Sequence, residues 1–435
     1  MVDLQAETTE VLQRLVRFNT VNPPGNERAA IEYLDEYLRE AGFSTEQLAA
    51  VEQRPNLIAT LQGQQADGPV LVMLGHVDTV LAAAEDWQHD PFSGDVIDGF
   101  LWGRGALDMK SQVAAEAVAA AALARSGWRP ARGTLKLVFV VDEETGGDLG
   151  AQWLTEQHPD KVRCDLLINE GAGNRFQIDG KRYYGVSCGE KGIFRFKLTA
   201  KGVAGHAAMP RLGDNALLKL APVIQALAAG SHGYDPTPVP LALLEILGED
   251  PTDIPGALAR LAPKHPTISL MVEPMLSVTL TPTMVSASEK INVIPARATL
   301  KVDTRVPPGL GADVALARLH DVLGETANGL EIEFTEQDYG YVSDHQTELM
   351  AAIQRWIDVA DPGAVAVPVL LPAYSDSNHF RAAFPDVVAY GFFPQRYQSL
   401  LESTELMHNA DERIDVRDLG VAAECYTQLM SDLLG

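Results

Sequence analysis

The stretch Val70-Leu71-Val72-Met73-Leu74-Gly75-His76-Val77-Asp78 decides the fold, because a short apolar run stops at a glycine and gives way at once to an imidazole and a carboxylate. Two further runs end in the same manner. Thr134 to Val141 enters Asp142-Glu143-Glu144, and Asp165 to Asn169 enters Glu170. Short β-branched apolar runs of this kind read as buried parallel strands, and ligands of open α/β sheets bind at the carboxyl ends of such strands. Asp108 joins the set from the glycine-bracketed loop Trp102-Gly103-Arg104-Gly105-Ala106-Leu107-Asp108. One imidazole and several carboxylates converging on one sheet edge are the ligand set of a dinuclear hydrolytic metal centre.

Composition narrows the remaining possibilities. A chain of 435 residues exceeds one ordinary core, so two domains are expected, and its 46% hydrophobic content marks it as globular. No stretch approaches the roughly 18 uninterrupted apolar residues of a membrane span. The opening Met1-Val2-Asp3-Leu4-Gln5-Ala6-Glu7 lacks a cationic signal-peptide head, so the expected location is the cytoplasm. Cys164, Cys188 and Cys425 have neither paired spacing nor an even count, and they read as small buried side chains rather than a disulfide framework. A formal net charge of -25 argues against nucleic acid and anionic membranes as partners, since phosphate binding needs a basic footprint. Most of that charge reads as a solvated acidic surface.

Outward from the deciding stretch, helices and strands alternate. A first helix carries Leu4, Val11, Leu12 and Leu15 on one face and stops at Asn22-Pro23-Pro24-Gly25. A second spans about Glu27 to Ala41, and the alanine-rich Met109 to Arg125 packs on the sheet through small side chains. This is an α/β pattern. Near Gly189 the grammar changes to β-α-β-β-α-β: strand Gly192 to Ala200, helix Asn215 to Ala229, strands Ser277 to Thr283 and Ala296 to Arg305, helix Ala312 to Thr326, strand Leu330 to Thr335. That order predicts an inserted ferredoxin-like α+β domain. The proline-rich piece from Ser231 to Pro274 is an elaboration within it whose place the sequence leaves open. The main sheet resumes near Ser343 with helix Thr347 to Ala360, strands Val365 to Leu371 and Val387 to Phe393, and a last helix from Asp415. The expected division is a catalytic domain in two parts, 1–189 and 343–435, around an inserted lid or dimerisation domain, 190–342.

The ordered motifs His76-Val77-Asp78, Gly103-Arg104-Gly105-Ala106-Leu107-Asp108-Met109-Lys110, Asp142-Glu143-Glu144, Glu170, Gly205-His206-Ala207-Ala208-Met209-Pro210 and His408 resemble one family. It is the cocatalytic-zinc amidohydrolase family of glutamate carboxypeptidase, aminoacylase, acetylornithine deacetylase and succinyl-diaminopimelate desuccinylase, and the resemblance covers essentially the whole chain. The segment Trp87 to Lys110 looks most like the carboxypeptidase S and N-acyl-amino-acid hydrolase branch. The resemblance implies that Asp108 bridges two zinc ions, replaceable by cobalt or manganese, with His76 and Glu170 on one and Glu144 and His408 on the other. Asp78 would orient the His76 imidazole, and Glu143 would be the general base. His206 would polarise the scissile carbonyl in a partner chain's site, and Asn292 and Arg305 would contact substrate. An arginine fork suits a free α-carboxylate, although Arg305 could equally pair with Asp303.

Each motif alone has a plainer reading. A His-x-Asp after one strand is normally a turn, and a Glu-Glu pair is normally a solvated face. Their recurrence at successive strand ends in family order is what favours a site. His379, in Ser375-Asp376-Ser377-Asn378-His379-Phe380, competes with His408 for the last ligand; it reads as part of a helix-capping loop, while His408 lies before the final helix. His89, His158 and His232 read as exposed polar groups. The expected activity is hydrolysis of an amide or peptide bond beside a free amino-acid carboxylate, by a homodimer acting on a small peptide or N-acyl amino acid. The rival readings are a catalytically silent metal or amino-acid binding module, which has no need of a free base such as Glu143, and a related dinuclear aminopeptidase, which would need acidic rather than Arg305-type recognition.

Overall fold

The computed structural model describes residues 3–229 and 233–435; His232, and Ser231 at the start of the proline-rich piece, lie outside the described residues. The chain divides into two compact units. The first runs to Gly189 and adds Ser343–Val369 and Ser375–Gly435, and the second holds Glu190–Val342 with Leu370–Tyr374.

The first unit is built on a mixed sheet in the order Ser44–Val51, Arg54–Gln62, Arg132–Val140, Gln65–His76, Leu166–Asn169, Val388–Gly391, Lys181–Glu190, Val365–Leu371. Its centre is parallel. Gln65–His76 runs beside Arg132–Val140 with His76 opposite Val140, and beside Leu166–Asn169 with Met73 opposite Ile168. This register brings the ends of three neighbouring strands to one edge, each delivering its acids or histidine there. The β-branched and aromatic runs form these strands because both faces are covered: Leu71, Val72, Met73, Leu74, Leu137, Val138 and Phe139 are fully buried. Each such side chain contributes on the order of 1.5–3 kcal/mol relative to exposure.

Helix Lys110–Arg125 is apolar nearly all round, and it packs between the helices Leu4–Arg17 and Val416–Leu434. Its alanines permit that close approach. Helix starts follow local chemistry: the Asp3 carboxylate accepts from the Ala6 amide at 3.1 Å, and Asp415 accepts from the Arg417 amide at 2.9 Å. Cys164, Cys188 and Cys425 are buried, and none forms a disulfide among the described residues. His89 and His158 are not exposed as expected. Both are half-buried, edge-on to Trp102 at 4.7 Å and Trp153 at 4.6 Å, because an imidazole edge packs well on an indole face. Among the described residues no helix is long and apolar enough to cross a membrane.

The second unit holds a four-stranded antiparallel sheet in the order Thr279–Ser286, Arg297–Val306, Gly192–Lys201, Leu330–Asp338. Helices Ala216–Ala228 and Ala312–Leu323 share its core, where Phe194, Phe196, Leu198 and Ala200 alternate inward against Leu220, Val223 and Leu319. Lys197 and Glu333 pair at 2.9 Å from the intervening positions. The proline-rich piece is helical, as Pro238–Ile246, Ile254–Leu261 and Pro266–Met275. Each of these helices carries proline in its first turn, where no amide hydrogen is needed. Lys191 fastens the end of the last one: its buried Nζ donates to the carbonyls of Pro274 at 2.9 Å and Ser277 at 2.8 Å, and burial pushes its pKa down to about 7.

Candidate metal centre

His76 closes its strand with a ring that is 1% exposed. Its Nε2 lies 3.2 Å from Asp108 Oδ1, 3.8 Å from Glu170 Oε1 and 3.9 Å from Glu143 Oε2. His408 approaches Asp108 from the other side of that carboxylate, with Nε2 2.9 Å from Oδ2, and stands 3.4 Å from Glu144 Oε2. Asp108 is therefore the shared carboxylate, one oxygen toward each histidine. Two groups have donor atoms mutually within 4.8 Å, namely His76, Glu143 and Glu170, and His76, Asp108 and Glu144. The structure thus brings together all five expected ligands and the expected base, and it sets Glu143 as near to His76 as it sets Glu170.

The Asp78 side chain does something other than grip the imidazole closely. Its backbone oxygen is 3.0 Å from His76 Nδ1, whereas the nearer carboxylate oxygen is 3.6 Å away. The carboxylate instead accepts from the amides of Glu143 at 3.2 Å and Glu144 at 3.3 Å, and from Asn22 Nδ2 at 2.9 Å. So the backbone orients the ring, and the side chain holds the turn that bears both glutamates.

The electrostatics fit a cation site. Burial, then the charge of Asp108, pushes the Glu170 pKa up to about 7. Burial followed by Glu170 raises Glu143 well above its ordinary value, and burial followed by Asp108 raises Glu144. Burial pulls His76 down, yet the surrounding carboxylates of Asp108, Asp78 and Glu170 outweigh it and hold the imidazole well above its usual value. Hydrogen bonds to Asp108 and Glu144 bring His408 up to about 10. So many buried acids cannot all ionise unless positive charge sits among them. Asp376, 2% exposed, adds another carboxylate whose Oδ2 has no hydrogen-bond partner among the described residues. Imidazole nitrogens with an excess of carboxylate oxygens suit two zinc, cobalt or manganese ions.

Residues other than the expected ligands hold this set in place. Glu412 is fully buried: Oε1 accepts from the amides of Leu107 at 2.6 Å and Asp108 at 3.1 Å, and Oε2 from the Gly105 amide at 3.1 Å and Arg104 Nη1 at 2.6 Å. It ties the loop of the shared carboxylate to the segment of His408. Lys110 Nζ, also buried, donates to the carbonyls of Leu15 at 3.0 Å and Phe18 at 2.9 Å. His379 Nε2 lies 3.3 Å from the Gly146 carbonyl, in the first turn of helix Ser377–Ala383. In sequence, Glu412 is one acid within the polar run Asn409-Ala410-Asp411-Glu412-Arg413, and its only signal is the closeness to His408.

The second unit brings two of the other candidates together and leaves the third apart. His206 lies on the short strand Gly205–His206, exposed, and the Asn292 carbonyl accepts from the Ala207 amide at 3.1 Å. The His206 Nδ1 accepts from the Ala208 amide at 3.1 Å, which leaves the proton of a neutral ring on Nε2. Arg305 is on the long strand Arg297–Val306, opposite Thr279, with Nε donating to Asp303 Oδ1 at 2.8 Å and its side chain 24% exposed.

Known proteins resemble the chain in sequence and in fold. A succinyl-diaminopimelate desuccinylase from Xanthobacter autotrophicus is 36% identical over 234 residues, covering 51% of this chain and 57% of its own length. The chain thus spans little more than half of that relative. Aminoacylase-1 from Sus scrofa is 25% identical over 430 residues, covering 97% of this chain and 94% of that protein. Among solved structures, an M20 family metallo-carboxypeptidase from Sulfolobus solfataricus superposes with a TM-score of 0.74 at 18% identity, covering 98% of each chain. The model of peptidase family M20/M25/M40 matches residues 72–432, and the chain belongs to that family of metal-dependent hydrolases.

Proposed function

We propose that the protein hydrolyses an amide or peptide bond next to a free amino-acid carboxylate, in a small peptide or an N-acyl amino acid, with two zinc ions. The observation that carries this reading is Asp108, which turns one carboxylate oxygen to His76 and the other to His408 amid a surplus of buried acids. When bound, the ions would polarise the scissile carbonyl and make a water between them acidic enough to attack near neutral pH. Asp108 would bridge them, His76 and Glu170 completing one site and Glu144 and His408 the other. Glu143 takes the proton of the attacking water and passes it to the leaving nitrogen. Its carboxylate stands 3.9 Å from His76 Nε2, close enough to the metal donors to reach a water held there. Elemental analysis of protein purified without chelator is expected to return close to two equivalents of divalent metal, and a chelator is expected to abolish activity. Metal-free protein with full activity would end this reading.

Arg305 is assigned to the substrate carboxylate, with Asn292 as a further contact. Asp303 anchors the guanidinium through Nε at 2.8 Å, in a side chain that is 24% exposed. Arg305→Ala is expected to raise the Michaelis constant for carboxylate substrates by roughly ten- to a hundredfold, the scale of a lost charge-assisted hydrogen bond. For the corresponding amides the rise is expected to be small. Equal losses with both substrates would leave Arg305 only its pairing with Asp303.

The active form is assigned as a cytoplasmic homodimer joined through the second unit. Thr279–Ser286 is an edge strand of the four-stranded sheet, and its Met284 and Val285 are 60% and 54% exposed. On the same unit Leu218 is 68% exposed and Ile291 fully so. An edge strand with apolar side chains invites pairing with a second copy. In that dimer His206 would donate from Nε2 to the scissile carbonyl oxygen of a substrate in the partner's site.

A further inference from the structure

The turn bearing Glu143 and Glu144 is held by a second set of buried charges that touches neither candidate ligand nor substrate group. Arg54, 8% exposed, opens the strand Arg54–Gln62. Its Nε donates to Glu27 Oε2 at 2.9 Å, its Nη2 to the other Glu27 oxygen, and its Nη1 to Asp142 Oδ1 at 2.9 Å. Glu27 is fully buried and Asp142 is 5% exposed. The guanidinium lies so close to Gly25 that a Cβ there would stand 2.4 Å from Nε, and Gly25 has φ +78°. Fork, glycine and two carboxylates form one fitted unit.

Asp142 is where this unit meets the chemistry. Oδ1 gathers Arg54 Nη1, Asn22 Nδ2 at 3.1 Å and Thr145 Oγ1 at 2.7 Å, and Oδ2 accepts from the Leu149 amide at 3.1 Å. Its own backbone is left-handed, φ +73°, and this bend leads from the strand into Glu143–Thr145. A non-glycine residue in that region persists only where its surroundings hold it. Asn22 Nδ2 is shared with Asp78, whose two oxygens hold the Glu143 and Glu144 amides. The direction in which Glu143 leaves the turn is therefore fixed from two sides, and both lead back to Asp142.

We propose that Arg54 is a positioning residue for Glu143, acting through Asp142 and with Asn22 as its link to Asp78. The proposal rests on the reading of Glu143 as the base. Lysine at position 54 would keep the charge, but a single ammonium cannot grip Glu27 at two points and Asp142 at a third. The test is Arg54→Lys made in the parent and in Glu143→Gln, with turnover, metal content and amide hydrogen exchange measured on folded protein. In the parent, turnover is expected to fall by about ten- to a hundredfold, the scale of a slightly misplaced catalytic group. Metal content and the Michaelis constant should hold. In Glu143→Gln the same change should cost nothing further, since a residue that acts only through the base has no effect once the base is gone. In metal-free protein, exchange should speed up at the amides of residues 142–149 while strand Gln65–His76 keeps its protection.

A full additional loss in the Glu143→Gln background, or unchanged exchange at 142–149, would overturn the proposal and leave the base assignment standing. Wild-type turnover by Glu143→Gln itself would instead sink the base assignment. Should Arg54→Lys fail to fold, Asn22→Ser removes the shared amide donor. The same cycle and exchange readout then apply, with the same outcomes supporting or overturning the proposal.

Discussion

Glu143→Gln is expected to bind two divalent ions and to keep its Michaelis constant, while turnover falls by roughly two to four orders of magnitude, the usual scale for a lost general base. The amide matches the carboxylate in size but cannot take a proton. It also has little freedom to move away, because the backbone at position 143 is pinned by Asp78 and the side chain is only 13% exposed. Glu144→Gln is the control. Its carboxylate lies 3.4 Å from His408 and accepts the Val80 amide at 3.1 Å, so the change should empty or weaken one metal site. The comparison is demanding because Glu143 stands 3.9 Å from His76, as near as a ligand would be. Metal analysis of the two variants side by side decides it: equal metal loss would make Glu143 a ligand and remove it from the proton transfer.

His206→Ala is expected to lower turnover by about a hundredfold to a thousandfold with both ions retained, as for the loss of one oxyanion donor. On the proposed reading the exposed ring, with Nδ1 engaged by the Ala208 amide, uses Nε2 to donate to the substrate. If that substrate lies in the partner's site, His206→Ala and Glu143→Gln chains should complement each other. In the mixed dimer one site joins an intact Glu143 to an intact His206 and the other lacks both, so activity should return to about half that of the parent dimer. Subunit exchange demonstrated by mass, without recovered activity, would confine His206 to its own chain or to no catalytic part.

Sequence reveals the strands whose ends carry chemistry because burial on both faces leaves an unbroken apolar run, and the run's sudden stop marks the sheet edge. The hairpin Ser44–Val51 with Arg54–Gln62 and the strand Lys181–Glu190 are not legible in this way. Their polar and aromatic residues break the run, and antiparallel pairing leaves no local signature. The helices between Pro238 and Met275 are hidden for a different reason: proline in a sequence suggests interruption, whereas here each helix has one in its first turn. At the site, residues that could touch a metal are recognisable by type. Glu412, Arg54 and Asn22 are not, because their partners lie far away in sequence and a buried ion pair looks like surface charge until the fold joins its halves. Asp142 looks like one more acid at a strand end, yet its carboxylate faces Arg54 and Asn22.

Glu412 also joins parts of the chain that are made far apart in time during synthesis. The loop that presents Asp108 has its amides gathered by a carboxylate that follows it by 304 positions. The strand Arg413–Asp415 then pairs with Phe100–Trp102, and helix Val416–Leu434 closes over Lys110–Arg125. A nascent chain displaying His76, Asp108, Glu144 and Glu170 still lacks both the fourfold clasp on that loop and the second histidine. On the proposed ligand set, ion uptake in native geometry would wait until translation has passed residue 412, and a ribosome stalled short of it would carry a sheet with acids at its edge but an incomplete site.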